Sequence, residues 1–178
     1  CTMIFGSIYN YKDKKPSLGP SVFVAPSAVI IGDVKIGQES SIWFQAVIRG
    51  DVNKIRIGEG SNIQDSVIIH VTTKGSSTII GSNVTIGHGA IIHACTVRDR
   101  SLVGMGSILM DDVLVESNAL VAAGSLVTSG KRIKTGEVWA GNPAVFTRRL
   151  SKGESKFIET SSRRYKSLAK DYVQIAKH

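Results

Sequence analysis

Of the four histidines in this 178-residue chain, three lie within one stretch, His70, His88 and His93, while His178 closes the sequence. Imidazole nitrogens bind zinc and other first-row transition metals, and three of them leave a tetrahedral ion one position open for water or substrate. The steps between the three are 18 and five residues. Neither is the three or four of a helix face, and neither is a plain strand alternation. Whether the three can meet depends on the element that carries them; failing that, they are unrelated surface side chains.

A repeat of six residues supplies the element. Aliphatic residues fall at Val24, Ile30, Ile36, Ile42 and Ile48, resume at Ile57, Ile63 and Ile69, and resume again at Ile80, Ile86 and Ile92. A five-residue step leads to Val97, followed at six by Val103, Leu109, Val115, Val121 and Val127. Each unit predicts a short extended segment and a turn, with its β-branched or Leu side chain inward. Three units close a triangular coil, and the next coil stacks about 4.8 Å above it. A single coil is too thin to bury its aliphatics, so stacking builds one continuous core. Turn formers stand near the corners: Gly32, Asp33, Gly60, Gly81, Asn83, Gly89, Asp111, Asp112, Asn118 and Gly124. The two longer steps mark inserted loops at residues 51–54 and 71–77. The expected fold class is all-β, a parallel β-helix shaped as a triangular prism over residues 1–146. In the remaining segment, 147–178, Phe157, Ser161, Tyr165, Leu168, Tyr172 and Ile175 recur at three and four, which predicts an amphipathic α-helix packed back along the prism.

On this winding the histidines acquire positions. One face collects Val24, Ile42, Ile63, Ile86, Val103 and Val121, and the next collects Ile30, Ile48, Ile69, Ile92, Leu109 and Val127. His70 follows Ile69 and His93 follows Ile92, so they share a column one coil apart, roughly 5 Å at the backbone, with Arg49 one coil below. Two side chains stacked in this way can share a metal with bonds of roughly 2.0–2.1 Å. His88 lies on the adjoining face, above Asp65 and beside Gln64, on the order of 10 Å or more from His93 along the coil. The three converge if the corner of one subunit meets the neighbouring face of another. The expectation is a homotrimer in which His70 and His93 come from one chain and His88 from the next.

Composition bounds the alternatives. The net charge is +8, but residues 148–178 carry nine Lys/Arg against three Asp/Glu, leaving thirteen against eleven in the rest. The excess belongs to the solvated face of the C-terminal helix, and no basic stripe interleaved with aromatics points to nucleic acid. Two cysteines, Cys1 and Cys95, make no disulfide framework and no CxxC. Cys95 reads as a corner filler, since its basic neighbours Arg98 and Arg100 lie past the next turn. Neither a membrane-length apolar run nor a signal-peptide pattern occurs, so the expectation is a soluble, cytoplasmic protein.

At the level of residues the chain resembles the γ-class carbonic anhydrases of the hexapeptide-repeat superfamily. The matching pieces are Arg49, Gly50 and Asp51; Ile57 and Gly58; Asn62, Ile63, Gln64 and Asp65; His70; Val84 to His88; His93, Ala94 and Cys95; and Val103 to Gly106. Over about residues 20–150 the resemblance closes with Ala140 to Ala144, a piece shared with hexapeptide acyltransferases. It implies a left-handed winding, and Zn²⁺ (or Fe²⁺ or Co²⁺) on His70, His88 and His93 across a trimer interface. It implies that Arg49 and Asp51 form an ion pair holding that interface, with Arg49 near the anion at the metal. Gln64 would orient the metal's water, with Asn62 and Asp65 supporting it. The implied reaction is reversible hydration of carbon dioxide to bicarbonate by a metal-bound hydroxide.

The sequence departs from the family's prototype where the proton must leave. Val52 follows Asp51, and residues 71–77 hold no acid, where the prototype has glutamates. Tyr165 and Tyr172 are candidates for a residue reaching back toward the site. Ala94 stands where relatives usually carry Gly, a change expected to matter little. Two other functions fit the fold: an acyltransferase or thioesterase acting on coenzyme A esters, with one histidine as base, and a catalytically weak scaffold that keeps the metal site.

Overall fold

A computed structural model describes residues 3–175, so Cys1, Thr2 and His178 lie outside the described residues. All seventeen repeat positions are buried, none more than 4 % exposed. They align coil upon coil in three columns. Val24, Ile42, Ile63, Ile86, Val103 and Val121 are successive parallel partners. So are Ile30, Ile48, Ile69, Ile92, Leu109 and Val127. The third column runs Ile36, Ile57, Ile80, Val97, Val115 and Ile133, one buried position beyond the expected series. The result is a left-handed parallel β-helix of about eight turns with one C-terminal helix.

Most strands are two or three residues long, as a six-residue repeat with a turn in it requires. The two longest, Val29–Ile36 and Val47–Ile57, run around a corner, so the second and third faces join into one 12-stranded sheet beside a nine-stranded one. At that corner Gly32 has φ +79°, and a Cβ on it would stand 2.4 Å from the Gly50 carbonyl oxygen. Only glycine fits.

Elsewhere the corners share a local recipe. Three residues after a core position the backbone turns left-handed, at Gln45, Ser66, Asn83, Arg100 and Asn118 among others. One residue later a small side chain is buried, such as Ala46, Ser61, Ala90, Ser101 or Ala119. The serines satisfy corner backbone that water cannot reach: Ser61 Oγ donates to the Gly81 carbonyl at 2.7 Å and accepts from Val84 N–H at 3.0 Å.

An antiparallel strand, Ala144–Arg149, turns the chain back, and the helix Lys152–Ile175 follows. Its start is a capping box: Ser151 Oγ accepts from Glu154 N–H at 3.2 Å, and the Glu154 carboxylate accepts from Ser151 N–H at 2.9 Å. The helix packs on strands Ser41–Ile42, Asn62–Ile63 and Thr85–Ile86 of the first face. Trp43 receives Tyr165 and Tyr172 edge-on at 5.4 and 5.2 Å between ring centres. One expected packing position is corrected. Phe157 is 59 % exposed and Ile158 is buried in its place, because two docked serines set the helix's rotation. Ser161 meets Thr85, and Ser162 donates to the Gly60 carbonyl.

Candidate metal centre

The stacking that buries Ile69 on Ile92 also puts His70 in register with His93. Their rings are 5.3 Å apart between centres, with His70 Nδ1 and His93 Nε2 facing each other at 3.3 Å. The outer nitrogen of each ring is held by a carboxylate, His70 Nε2 at 3.0 Å from Asp51 Oδ1 and His93 Nδ1 at 2.6 Å from Asp111 Oδ1. Carboxylates only accept, so each outer nitrogen donates a ring hydrogen, and with neutral rings the two facing nitrogens are left as lone pairs. In neutral rings, two lone pairs aimed at each other are satisfied by a cation between them. Tetrahedral bonds of roughly 2.0–2.1 Å put neighbouring ligand atoms about 3.3 Å apart, which is the observed separation. The donor set therefore fits a transition metal, and carboxylates behind imidazoles are the usual outer support of such ligands.

Asp51 ties this pair to the inserted corner. Burial opposes its ionisation, but hydrogen bonds from His70, Arg49 and the Val52 N–H, with the charge of Arg49, hold its carboxyl below the usual carboxylate range. The Arg49–Asp51 ion pair forms within one chain. Gly50 between them approaches the next corner closely, where a Cβ would lie 2.8 Å from the Asp33 carbonyl oxygen.

The second group lies on the adjoining face. His88 Nδ1 is 2.8 Å from Asp65 Oδ2, so this imidazole too has a carboxylate on one nitrogen, which leaves the other for a ligand. Its backbone N–H donates to Gln64 Oε1 at 3.2 Å, and Gln64 Nε2 donates to Asn62 Oδ1 at 3.0 Å. Beside them, between prism and helix, opens a cleft of about 640 Å³ with apolar walls that include Leu102, Met105 and Phe157. Tyr165 lines it with His88 and Gln64. Burial, then the charge of Asp65, pushes the Tyr165 hydroxyl above its usual pKa, so it remains protonated. Tyr172 is absorbed in the aromatic cluster with Phe23, Trp43 and Phe44.

The sequence-predicted residues thus fall into two groups. Arg49, Asp51, His70 and His93 are together, and Asn62, Gln64, Asp65 and His88 are together. Within the single chain they do not join: among the described residues no three His, Cys, Asp or Glu side chains close on one point. The sequence pattern marks Asp111 only as a turn former. Its signal was available in the winding, since it stands on the next coil, one position past the residue above His93, but its side-chain direction was not. Cys95 is 1 % exposed, and burial pushes its thiol up to about 12, so it fills the corner without reacting. No helix among the described residues is long and apolar enough to cross a membrane.

No family model matches the chain. It is 52 % identical over 168 residues to gamma carbonic anhydrase 2, mitochondrial, of Arabidopsis thaliana, covering 92 % of this chain and 60 % of that protein. The chain spans about three fifths of the length of such plant relatives. It is 44 % identical over 152 residues to a protein named "Probable carbonic anhydrase" from Methanocaldococcus jannaschii, covering 85 % of this chain and 95 % of that one. Among solved structures, a hexapeptide transferase family protein from Anaplasma phagocytophilum superposes with a TM-score of 0.90 at 46 % identity, covering 93 % of this chain and 98 % of the other.

Proposed function

The chain belongs to the γ-carbonic anhydrase family, and from that membership we propose that it is a metal-dependent lyase interconverting carbon dioxide and bicarbonate between the subunits of a homotrimer. The observation that carries this reading is the pair of facing ring nitrogens 3.3 Å apart on His70 and His93, each ring backed by a carboxylate. His70 and His93 of one subunit and His88 of the next would hold Zn²⁺, with Fe²⁺ or Co²⁺ accepted by the same donors. Bound there, the metal supplies a water acidified to about pKa 7, the general property of such zinc sites.

The chain's own residues do the rest. Asp51, Asp65 and Asp111 fix the tautomers, so that each histidine presents a bare nitrogen. Gln64 orients the oxygen of water or bicarbonate, and Asn62 holds Gln64. Arg49 stays near the anionic product. The apolar cleft walls favour carbon dioxide over water. The proton leaves to solvent buffer, since the loop at residues 71–77 has no acid. The buried Cys95 thiol suits a compartment that keeps thiols reduced; relatives named mitochondrial stand beside the expectation of a cytoplasmic protein.

The test is to load the purified protein with zinc, wash it, and measure mass in solution, metal content and stopped-flow hydration of carbon dioxide. The expected result is a trimer with about one zinc per chain, active and accelerated by imidazole buffer, while His88→Ala loses metal and activity but stays folded. A washed wild-type protein without metal ends this reading. A second reading has its own support: the transferase name of the Anaplasma structure and a cleft far larger than carbon dioxide fit an acyltransferase. Acyl-CoA turnover by metal-free protein would favour it.

A further inference from the structure

Gln64 lines the cleft beside His88, yet only 5 % of it is exposed. A chain of hydrogen bonds leads from it into the seat of the helix. His88 N–H donates to Gln64 Oε1 at 3.2 Å, Gln64 Nε2 to Asn62 Oδ1 at 3.0 Å, and Asn62 Nδ2 to Thr85 Oγ1 at 2.9 Å. Thr85 Oγ1 then stands 3.0 Å from Ser161 Oγ on the helix. A carboxamide can turn over with little change of shape, so the sense of such a chain must come from groups that cannot turn. Two backbone groups do this here. His88 N–H can only donate, and the Val84 carbonyl, 3.4 Å from Asn62 Nδ2, can only accept. Both set the amides the same way round. Thr85 Oγ1 accepts from Asn62 and has Ser161 Oγ as its one other side-chain partner among the described residues, so Ser161 is the acceptor at hand for its proton.

We propose that Thr85 and Ser161 are positioning residues: Ser161 takes the proton at the far end of the chain and so locks the Gln64 amide with its oxygen on His88 N–H and the second Nε2 hydrogen presented to the cleft. The inference rests on the proposed hydratase reading for what that hydrogen meets, an oxygen of water or bicarbonate. Without the Ser161 hydroxyl, the Thr85 proton is buried with no acceptor. Its nearest relief is to turn toward Asn62, where it opposes an N–H, and the amide pair loosens.

The neighbouring Ser162 provides the control. It seats the same helix on the Gly60 carbonyl at 3.0 Å and on Asn83 Oδ1 at 3.1 Å, but has no place in the chain to Gln64. Alanine suits a helix better than serine does, so Ser161→Ala and Ser162→Ala both keep the helix.

In metal-free protein, side-chain amide hydrogen exchange of Asn62 and Gln64, followed by NMR, should be about tenfold faster in Ser161→Ala and in Thr85→Val. It should stay slow in Ser162→Ala and Ser161→Thr. In zinc-loaded protein Ser161→Ala should lower kcat about tenfold with KM unchanged, and Ser161→Thr should restore it. Wild-type exchange in Ser161→Ala, or the same acceleration in Ser162→Ala, overturns the proposal. A zinc-loaded wild type that hydrates no carbon dioxide refutes the proposed function instead, while the exchange comparison still decides the chain.

Discussion

Two stretches of the same prism behave differently. From Val97 to Ile133 the buried core residues follow one another every six positions without interruption. Between Ile48 and Val97 the interval departs from six three times. The irregular stretch holds every candidate metal-site residue of the prism except Asp111. The regular stretch has outward ion pairs such as Arg132 with Glu116, whose arginine is exposed to solvent, contacts of little energetic weight. The extra residues at 51–54 carry Asp51 across to His70, and the shortened step after Ile92 closes the corner behind His93. The repeat builds the rod, and its interruptions aim the side chains.

The largest effect that should separate the two is a core truncation in the regular stretch. Ile133 is fully buried. Ile133→Ala should cost about 2–5 kcal/mol in denaturant unfolding, while zinc affinity stays within about twofold because distant sites act independently. A matching fall in zinc affinity would mean that site and rod are one cooperative unit.

Asp111 is the regular stretch's one side chain at the His70–His93 pair. Asp111→Asn should weaken zinc binding roughly tenfold in a chelator competition, with unfolding little changed. Unaltered affinity would remove Asp111 from the metal centre and leave the irregular stretch alone in charge of it.

The helix belongs to the irregular side, since it packs on the strands that carry Asn62 and Thr85. Hydrogen bonds from Arg148, then from the Ser151 N–H and hydroxyl, hold the Glu154 carboxyl at about 2 against an ordinary 4.5. A depressed carboxylate stabilises the fold fully above its unfolded value. That contribution is lost as pH falls from 4.5 through about 2. Ser151→Ala should cost about 1 kcal/mol at pH 7 and flatten this part of the acid denaturation curve. If the variant keeps the wild-type acid slope, the cap does not contribute.

Much of this was legible in the sequence because the signal is local. An inward aliphatic every six residues depends only on strand and turn, so every position from Val24 to Val127 could be placed before any coordinates. The stacking of His70 on His93 followed by counting. The role of Asp111 did not, because its carboxylate reaches His93 from 18 residues away and its direction depends on how the corners stack. The helix face was read one residue off at Phe157 because side-chain docking by Ser161 and Ser162, and not hydrophobicity alone, sets the rotation.

Ala94 offers the smallest test. Its methyl was expected to matter little, yet the residue is buried with φ +46°, between His93 and Cys95. A left-handed backbone costs an L-residue roughly 1–2 kcal/mol, and glycine removes that cost but loosens the unfolded chain by about 0.4–1 kcal/mol. The site corner accepts the strain because Ala94 N–H donates to the His70 carbonyl at 3.1 Å and its carbonyl accepts from Asp112 N–H at 2.9 Å. Those bonds tie the two metal-site coils to the one above, and glycine can keep both. Ala94→Gly should therefore raise stability by about 0.5–1 kcal/mol, or about 1–3 °C in Tm. Asn118→Gly, at a left-handed corner of the regular stretch, should gain less, because asparagine tolerates that backbone. A destabilised Ala94→Gly would mean that the methyl's packing under His93 outweighs the strain, and the site corner would then be the better packed of the two.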